Sequence, residues 1–315
     1  MPAFLVVGAT GNTGGGVLQH LTESLHKSDR FSSYRIIGLT RDTNGSKAKE
    51  LASLPRVEMI AKDWTMINSD WLREHNVERV FIASHNGVSH FTDESLFLNY
   101  ALEAGVKYVV RISTTTINIG PATPVFYARN HWAVETMLEQ PVFDKLQWTS
   151  LQPNVFISQI TPAAVDWVST YKRNGSKTAY KLMLDGDSNA APIDPVEVGI
   201  IAGKLLALED VKPHASQKYT LNGPQNATGK AITKIIEKYA QTTVDDVTFR
   251  DTSFIEYARS AGTPESVLAS LALAPMRAYD GSTSVEAMPT SRAILDLHTL
   301  KHGMLDTLDK ELSKL

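Results

Sequence analysis

The chain has 315 residues, 43% hydrophobic and 21% charged, with no cysteine and a formal net charge of -3. This is the composition of a folded globular protein of one large or two smaller domains. It excludes disulfides, thiolate nucleophiles and cysteine metal sites, and its acidic balance argues against binding nucleic acid through a broad basic surface.

In chain order the sequence alternates short apolar runs with helical patterns. Phe4 to Val7 is wholly apolar and predicts a buried parallel strand. The glycine-rich residues 8–16 follow, then a helix carrying Val17, Leu18, Leu21 and Leu25. Further strands are expected at Tyr34–Leu39, Val57–Ala61, Val80–Ala83, Tyr108–Ile112 and Trp148–Leu151. Helices are expected between them around residues 46–53, at Trp71-Leu72, over Glu94–Ala104 with Gly105 as C-cap, and over Tyr127–Glu139. This repetition predicts an α/β, Rossmann-type, doubly wound parallel sheet over residues 1–155.

The remainder, 156–315, reads as a smaller and mostly helical substrate lobe. Strands near 190–195 and 217–222 are expected to rejoin the sheet. Helices are expected at Thr161–Tyr171, Val196–Leu208 and Gly229–Ala240, with two short ones in 253–273. Residues 291–312 read as one amphipathic helix with Leu297, Leu300, Met304, Leu308 and Leu312 on a stripe; it either packs on the lobe or forms a homodimer. The basic residues Lys172, Arg173, Lys177 and Lys181 read as a solvated loop. No run reaches about 18 apolar residues, so no membrane partner is expected. Met1-Pro2 leads straight into a strand-like run with no basic-then-apolar leader, and the expected location is cytoplasmic.

Gly8-Ala9-Thr10-Gly11-Asn12-Thr13-Gly14 places glycines at G-x-x-G-x-x-G between a strand and a helix. That is the context a dinucleotide-binding loop needs: a tight turn at Gly8, close pyrophosphate approach at Gly11, and helix–strand packing at Gly14. Backbone N–H groups at Thr10, Gly11, Asn12, Thr13 and Gly14 open the helix toward an anion. At the end of the second strand Arg41 stands where a ribose 2′-phosphate would sit, with Thr40 as a second donor, which selects NADP(H) over NAD(H). Asp63 either accepts from the adenine or caps the following turn. Ala83, Ser84 and His85, followed by Asn86, lie at the carboxyl end of the fourth strand beside the cofactor groove.

Val7-Gly8-Ala9-Thr10-Gly11-x-x-Gly14, Leu39-Thr40-Arg41, Ala104-Gly105-Val106-Lys107 before Val109-Val110-Arg111-Ile112-Ser113, and Leu151-Gln152-Pro153-Asn154 resemble the NmrA-like group of the atypical short-chain dehydrogenase/reductases. The resemblance runs through roughly the first 220 residues in motif order, and the last third matches only in outline. It implies a Rossmann domain with a smaller lobe closing over the nicotinamide. The group includes NAD(P)H-dependent reductases of quinones, isoflavonoids and related metabolites, and also non-enzymatic sensors of the NADP(H) state. The implied activity is hydride transfer from NADPH to a small conjugated or carbonyl-bearing molecule such as a quinone, enone or ketone. The alternative is a regulatory protein acting through partners.

The short-chain dehydrogenase pattern Tyr-x-x-x-Lys is matched at Tyr127, but His131 stands at the lysine position. A lysine there lowers the phenol pKa and holds the nicotinamide ribose; a histidine is largely neutral at pH 7. His131 can still hydrogen-bond the cofactor ribose, and proton transfer is expected from Tyr127 or His131: either His131 is itself the donor, with Tyr127 shaping the site, or the ordinary chemistry is lost. Ser113, directly after the fifth strand, is the candidate for binding the substrate oxygen, and Asn154 and Phe156 with His85 are candidates for the substrate side. Aromatic residues of the second half suit an aromatic substrate and equally a core. His298 and His302 share a helix-face spacing without an evident third ligand, so no metal is expected.

Overall fold

The computed structural model describes residues 1–25 and 27–315. Its centre is a sheet in the order β3-β2-β1-β4-β5-β6-β8, with every pairing parallel. The strands are β1 (Ala3–Val7), β2 (Arg35–Thr40), β3 (Val57–Ala61), β4 (Val77–Ile82), β5 (Tyr108–Ile112), β6 (Gln147–Pro153) and β8 (Gln217–Leu221). The first six follow the strand order of the Rossmann fold, which reverses direction between β1 and β4. All five residues of β1 are buried, as a strand covered by helices on both faces requires.

Helices α1 (Asn12–Leu25), α2 (Ser46–Ala52), α3 (Ser69–Glu74), α4 (His90–Ala104) and α5 (Phe126–Leu138) make the crossovers. Two apolar layers result. One, on the α1 face, holds Phe4, Val6, Leu18, Phe81 and Ile201; the other holds Leu5, Ile82, Leu98, Val134 and Trp148. Helix α7 (Pro195–Ala207) belongs to the first layer and lies directly on α1. The contact is backbone to backbone: a Cβ on Gly199 would stand 2.2 Å from the Thr13 carbonyl oxygen, and one on Gly16 would stand 2.7 Å from that of Val196. This accounts for Gly16, a glycine beyond those a phosphate loop needs.

A third core lies in the lobe, where α6 (Thr161–Asn174), α8 (Gly229–Ala240) and α12 (Met304–Leu312) pack with the parallel pair β7 (Tyr180–Leu182) and β9 (Val247–Phe249). Helices α9 (Phe254–Ser260) and α10 (Glu265–Leu271) are short and bury one residue each, Ile255 and Leu268. Among the described residues no helix is long and apolar enough to cross a membrane.

Three expectations are corrected. Residues 291–312 are two helices, α11 (Arg292–Leu297) and α12, joined by an extended segment. The Glu197 carboxylate accepts the Lys301 and His302 backbone N–H groups at 2.8 and 3.2 Å, and Gly303 lies against Gln225, so a continuous helix cannot form. Leu297 and Leu300 therefore pack on the sheet layer, whereas Met304, Leu308 and Leu312 enter the lobe core, and His298 and His302 share no helix face. Residues 190–195 form isolated bridges, Phe156 to Ile193 and Ala190 to Ala227 and Thr283, and are not a strand of the sheet. Lys172 and Arg173 close α6 and Lys181 lies in β7; all are exposed, but only Lys177 is in a loop.

Candidate functional site

The loop after β1 turns at Gly8, whose φ of +77° is a left-handed conformation open to glycine. A Cβ on Gly14 would lie 2.2 Å from the Gly8 carbonyl oxygen, so the first turn of α1 sits on the loop as closely as backbone permits. The Gly11 N–H donates to Gly8 at 3.0 Å and the Gly15 N–H to Gly11 at 2.8 Å, which closes the turn and leaves the start of α1 pointing outward. Gly11 and Asn12 are exposed, Thr10 is half-buried, and Thr13 is buried against α7. This is the cradle an anionic phosphate group requires.

At the end of β2, Arg41 is exposed and has no hydrogen-bond or ion-pair partner among the described residues. Thr40 instead spends its hydroxyl on its own turn, donating to the Asp42 carbonyl at 3.0 Å. The Asp42 carboxylate accepts the Asn44 N–H at 2.8 Å. Lys47 is a neighbour that sequence reasoning missed. It lies in the first turn of α2 with its Cε 3.9 Å from the position of a Gly15 Cβ, and it pairs with Glu50 at 2.9 Å. The one available signal was a lysine six residues after Arg41 at a helix start. Asp63 caps the turn at Trp64–Met66, its carboxylate accepting from the Thr65 N–H and hydroxyl at 3.0 and 2.9 Å.

The loop after β4 is held from α4. The Ser84 hydroxyl donates to Glu94 at 2.7 Å. His85 accepts the Gly87 N–H at Nδ1, so its Nε2 donates to Asp93 at 2.9 Å. The half-buried Ala83 presents its carbonyl oxygen 3.3 Å from where a Gly8 Cβ would be, so this loop and the glycine loop meet.

Beneath that loop lies a buried polar cluster that no local motif announces. Arg111 on β5 is fully buried. Its guanidinium donates to both Glu94 oxygens at 2.6 and 3.1 Å, to Ser150 at 3.0 Å and to His131 Nδ1 at 2.9 Å, with Glu135 at 3.5 Å. Glu135 also accepts from Ser150 at 2.6 Å and from Gln152. His90, also buried, meets Glu94 through Nε2 at 2.7 Å, while its Nδ1 has no protein partner. Burial alone would raise the Glu94 carboxyl, but the Arg111 charge and the bonds from His90 and Arg111 hold it well below the usual carboxylate range.

An arginine always donates, so His131 Nδ1 must accept and its proton sits on Nε2, which donates to Asn86 Oδ1 at 3.1 Å. Burial, with the Arg111 charge second, pushes the His131 imidazole well below its ordinary value of 6.5. His131 is thus a neutral, fixed ring whose one proton, on Nε2, is engaged by Asn86. His90, Glu94 and His131 stand close enough to share a metal ion, but Arg111 already donates to two of the three and supplies the cation there.

Tyr127 is half-buried one turn before His131, with ring centroids 6.5 Å apart and planes nearly perpendicular. Burial raises its phenol pKa, and a bond with the Thr114 hydroxyl acts in the opposite direction. Ser113 is buried at the end of β5 and its hydroxyl has no protein partner. Arg129 faces away, donating to the Thr123 carbonyl at 2.6 Å. The lobe reaches this helix: Ser270 on α10 accepts the Phe126 N–H at 2.7 Å and donates to the Pro124 carbonyl at 2.6 Å, capping α5 from 144 residues away. Asn154, by contrast, is spent on the architecture. Its amide nitrogen meets Ala191, Asn222 and Thr283, and its oxygen accepts the Val155 N–H. Phe156 packs on the α1-side core and forms the bridge to Ile193.

No family model matches the chain, and no curated protein sequence matches it at significance. Solved structures do. The chain is similar over 98% of its length to 99% of an NADPH-dependent quinone oxidoreductase from Escherichia coli complexed with NADPH, at a TM-score of 0.65 and 17% identity. It is similar at 0.67 and 20% to the triphenylmethane reductase of a Citrobacter species complexed with NADP(H), over 98% of this chain and 99% of that one. It is also similar at 0.67 and 11% to NmrA, a negative transcriptional regulator, in complex with NAD, over 99% of this chain and 96% of that one. At these identities the likeness is one of fold. The chain shares the fold of these two reductases, of NmrA and of a nucleoside-diphosphate-sugar epimerase from Staphylococcus aureus.

Proposed function

We propose that this protein binds NADP(H) and is an oxidoreductase that reduces a conjugated, electron-poor small molecule of the quinone type. The observation that carries the cofactor is the glycine loop, where Gly8 turns through a positive φ, Gly14 leaves no room for a Cβ and α1 opens outward. The helix N-terminus would hold the pyrophosphate, and the unpaired Arg41 with Lys47 would hold the 2′-phosphate. The quinone oxidoreductase and triphenylmethane reductase of the same fold, both solved with the NADP(H) pair, support the reading. When bound, the nicotinamide supplies the hydride.

The substrate class follows from the protons this chain can offer. Tyr127 keeps its proton, since burial raises its pKa and the residue one turn on is a neutral histidine rather than a lysine. It can donate a hydrogen bond to a substrate oxygen, with the unpartnered Ser113 hydroxyl as a second donor, but it is a weak acid. Simple ketones need a proton as the alkoxide forms. A quinone delocalises the charge it receives and takes its proton from water afterwards. The test is NADPH oxidation against a panel of quinones and simple ketones. Turnover of quinones, with Tyr127→Phe costing less than about tenfold, is expected; a loss on the order of 10²–10⁴ would place general acid catalysis at Tyr127 and refute the weak-acid argument.

The neutral His131 also favours a second reading, a sensor without turnover. That reading requires that NADPH and NADP⁺ bind with clearly different affinities and that no acceptor is reduced.

A further inference from the structure

We propose that Asn86 is the residue that binds the nicotinamide ribose, taking over the donor role that a lysine at position 131 would have had. The inference rests on the NADP(H) reading above and adds a contact to it. Arg111 fixes His131 with its proton on Nε2, and that proton is spent on Asn86 Oδ1 at 3.1 Å. The imidazole therefore has no donor left for a ligand. The Asn86 amide must turn its oxygen inward to accept, so its NH₂ is the group left over.

That NH₂ has no partner among the described residues, and Asn86 is exposed while Glu94, Arg111, His131 and Glu135 behind it are buried. It is the surface end of a fixed chain of bonds that starts at Glu94. Its loop is tied down on the side before Asn86, by Ser84 to Glu94 and by His85 to Asp93, and the Gly87 N–H bonds back to His85. It also follows β4 beside the glycine loop, at the point where the sheet order reverses and a dinucleotide crosses the strand ends. An immobilised amide donor there suits an acceptor with no formal charge, and the ribose hydroxyl oxygens of the nicotinamide half are that chemistry. The 2′-phosphate end is served by Arg41 and Lys47 on the other side of the glycine loop.

The test is calorimetric titration of wild-type protein and Asn86→Ala with NADPH and with adenosine 2′,5′-bisphosphate, which keeps the 2′-phosphate but lacks the nicotinamide ribose. One neutral hydrogen bond predicts that the variant loses about three- to tenfold in NADPH affinity. Adenosine 2′,5′-bisphosphate should bind both proteins within about twofold, since its contacts are elsewhere. Equal weakening of both ligands would mean a disturbed loop, and no weakening of NADPH would mean no contact; either overturns the assignment. If the wild type bound neither ligand, the NADP(H) reading would fall and this inference with it.

Discussion

Replacing Arg111 by methionine keeps an unbranched apolar stem and removes the charge at the centre of the buried cluster. Glu94 would keep only His90 and Ser84 as donors, and Glu135 only Ser150 and Gln152. Removing one partner of a buried pair costs about 3–5 kcal/mol, a large share of a total stability of about 5–15 kcal/mol. Urea denaturation at pH 7.5, followed by tryptophan fluorescence, measures it. The pH dependence gives the mechanism. In the wild type the Arg111 charge outweighs burial and holds Glu94 down; without it, burial raises the carboxyl above its ordinary 4.5. A raised carboxyl binds a proton in the folded state before the unfolded state does, so acid relieves the variant, and the penalty at pH 5.5 should be smaller than at pH 7.5. Glu94→Gln in the same background should recover about 1–3 kcal/mol by removing the orphaned charge. A penalty under about 1 kcal/mol at pH 7.5, or no recovery from Glu94→Gln, would refute the view that Arg111 is the cation this site is built around.

Three further outcomes are expected. His131 lies well below its ordinary value and His20 is lowered to about 4, both chiefly by burial. Unfolded histidines take up protons as pH falls through 6.5 and these two do not. Stability should therefore be full above that pH and fall toward pH 5, each histidine contributing a slope approaching about 1.4 kcal/mol per unit. Denaturation at pH 7.5 and 5.5 reads this, and His131→Gln should remove one histidine's share. Gly199→Ala forces a Cβ to 2.2 Å from the Thr13 carbonyl oxygen, where only backbone can yield; a loss of about 1–3 kcal/mol by chemical denaturation is expected, with weaker dinucleotide binding because α1 carries the loop. Arg41→Ala and Lys47→Ala should each weaken NADPH binding by about tenfold while leaving NADH within about twofold, measured by fluorescence titration. Equal losses for both cofactors would remove these residues from the 2′-phosphate.

The sheet was legible because its strands are apolar on both faces. Val109-Val110 and Phe4 to Val7 have nowhere to go but between two helical layers, and the glycine loop fixes which strand comes first. The C-terminal segment was not legible as two helices. The stripe from Leu297 to Leu312 has helical spacing throughout, and what breaks it is a carboxylate 104 residues earlier in sequence from the Lys301 N–H it accepts. Tertiary hydrogen bonds of that kind leave no local trace. Asn154 was misleading for the same reason: its place after β6 suggests a ligand, whereas its partners lie at Ala191, Asn222 and Thr283. The extra glycine at 16 was visible but unexplained until α7 supplied Val196 and Gly199 as the facing surface.

The histidine at position 131 is best understood from the strand behind it. Arg111 points from β5 into the space under α4 and α5 and takes up a positive charge position that Glu94 and Glu135 complete. A lysine at 131 would bring a second cation close to that guanidinium, in a buried site where like charges repel most strongly. A neutral imidazole fits because it accepts from the arginine on one nitrogen and donates on the other. The cluster therefore trades an exposed cation beside Tyr127 for a buried one locked in place. Tyr127 in turn lacks the neighbouring cation whose field would acidify it. The gain is a rigid floor under the loop after β4, on which Asn86 is held. Acid strength at the tyrosine and order in the loop after β4 are thus set by one choice of charge on β5.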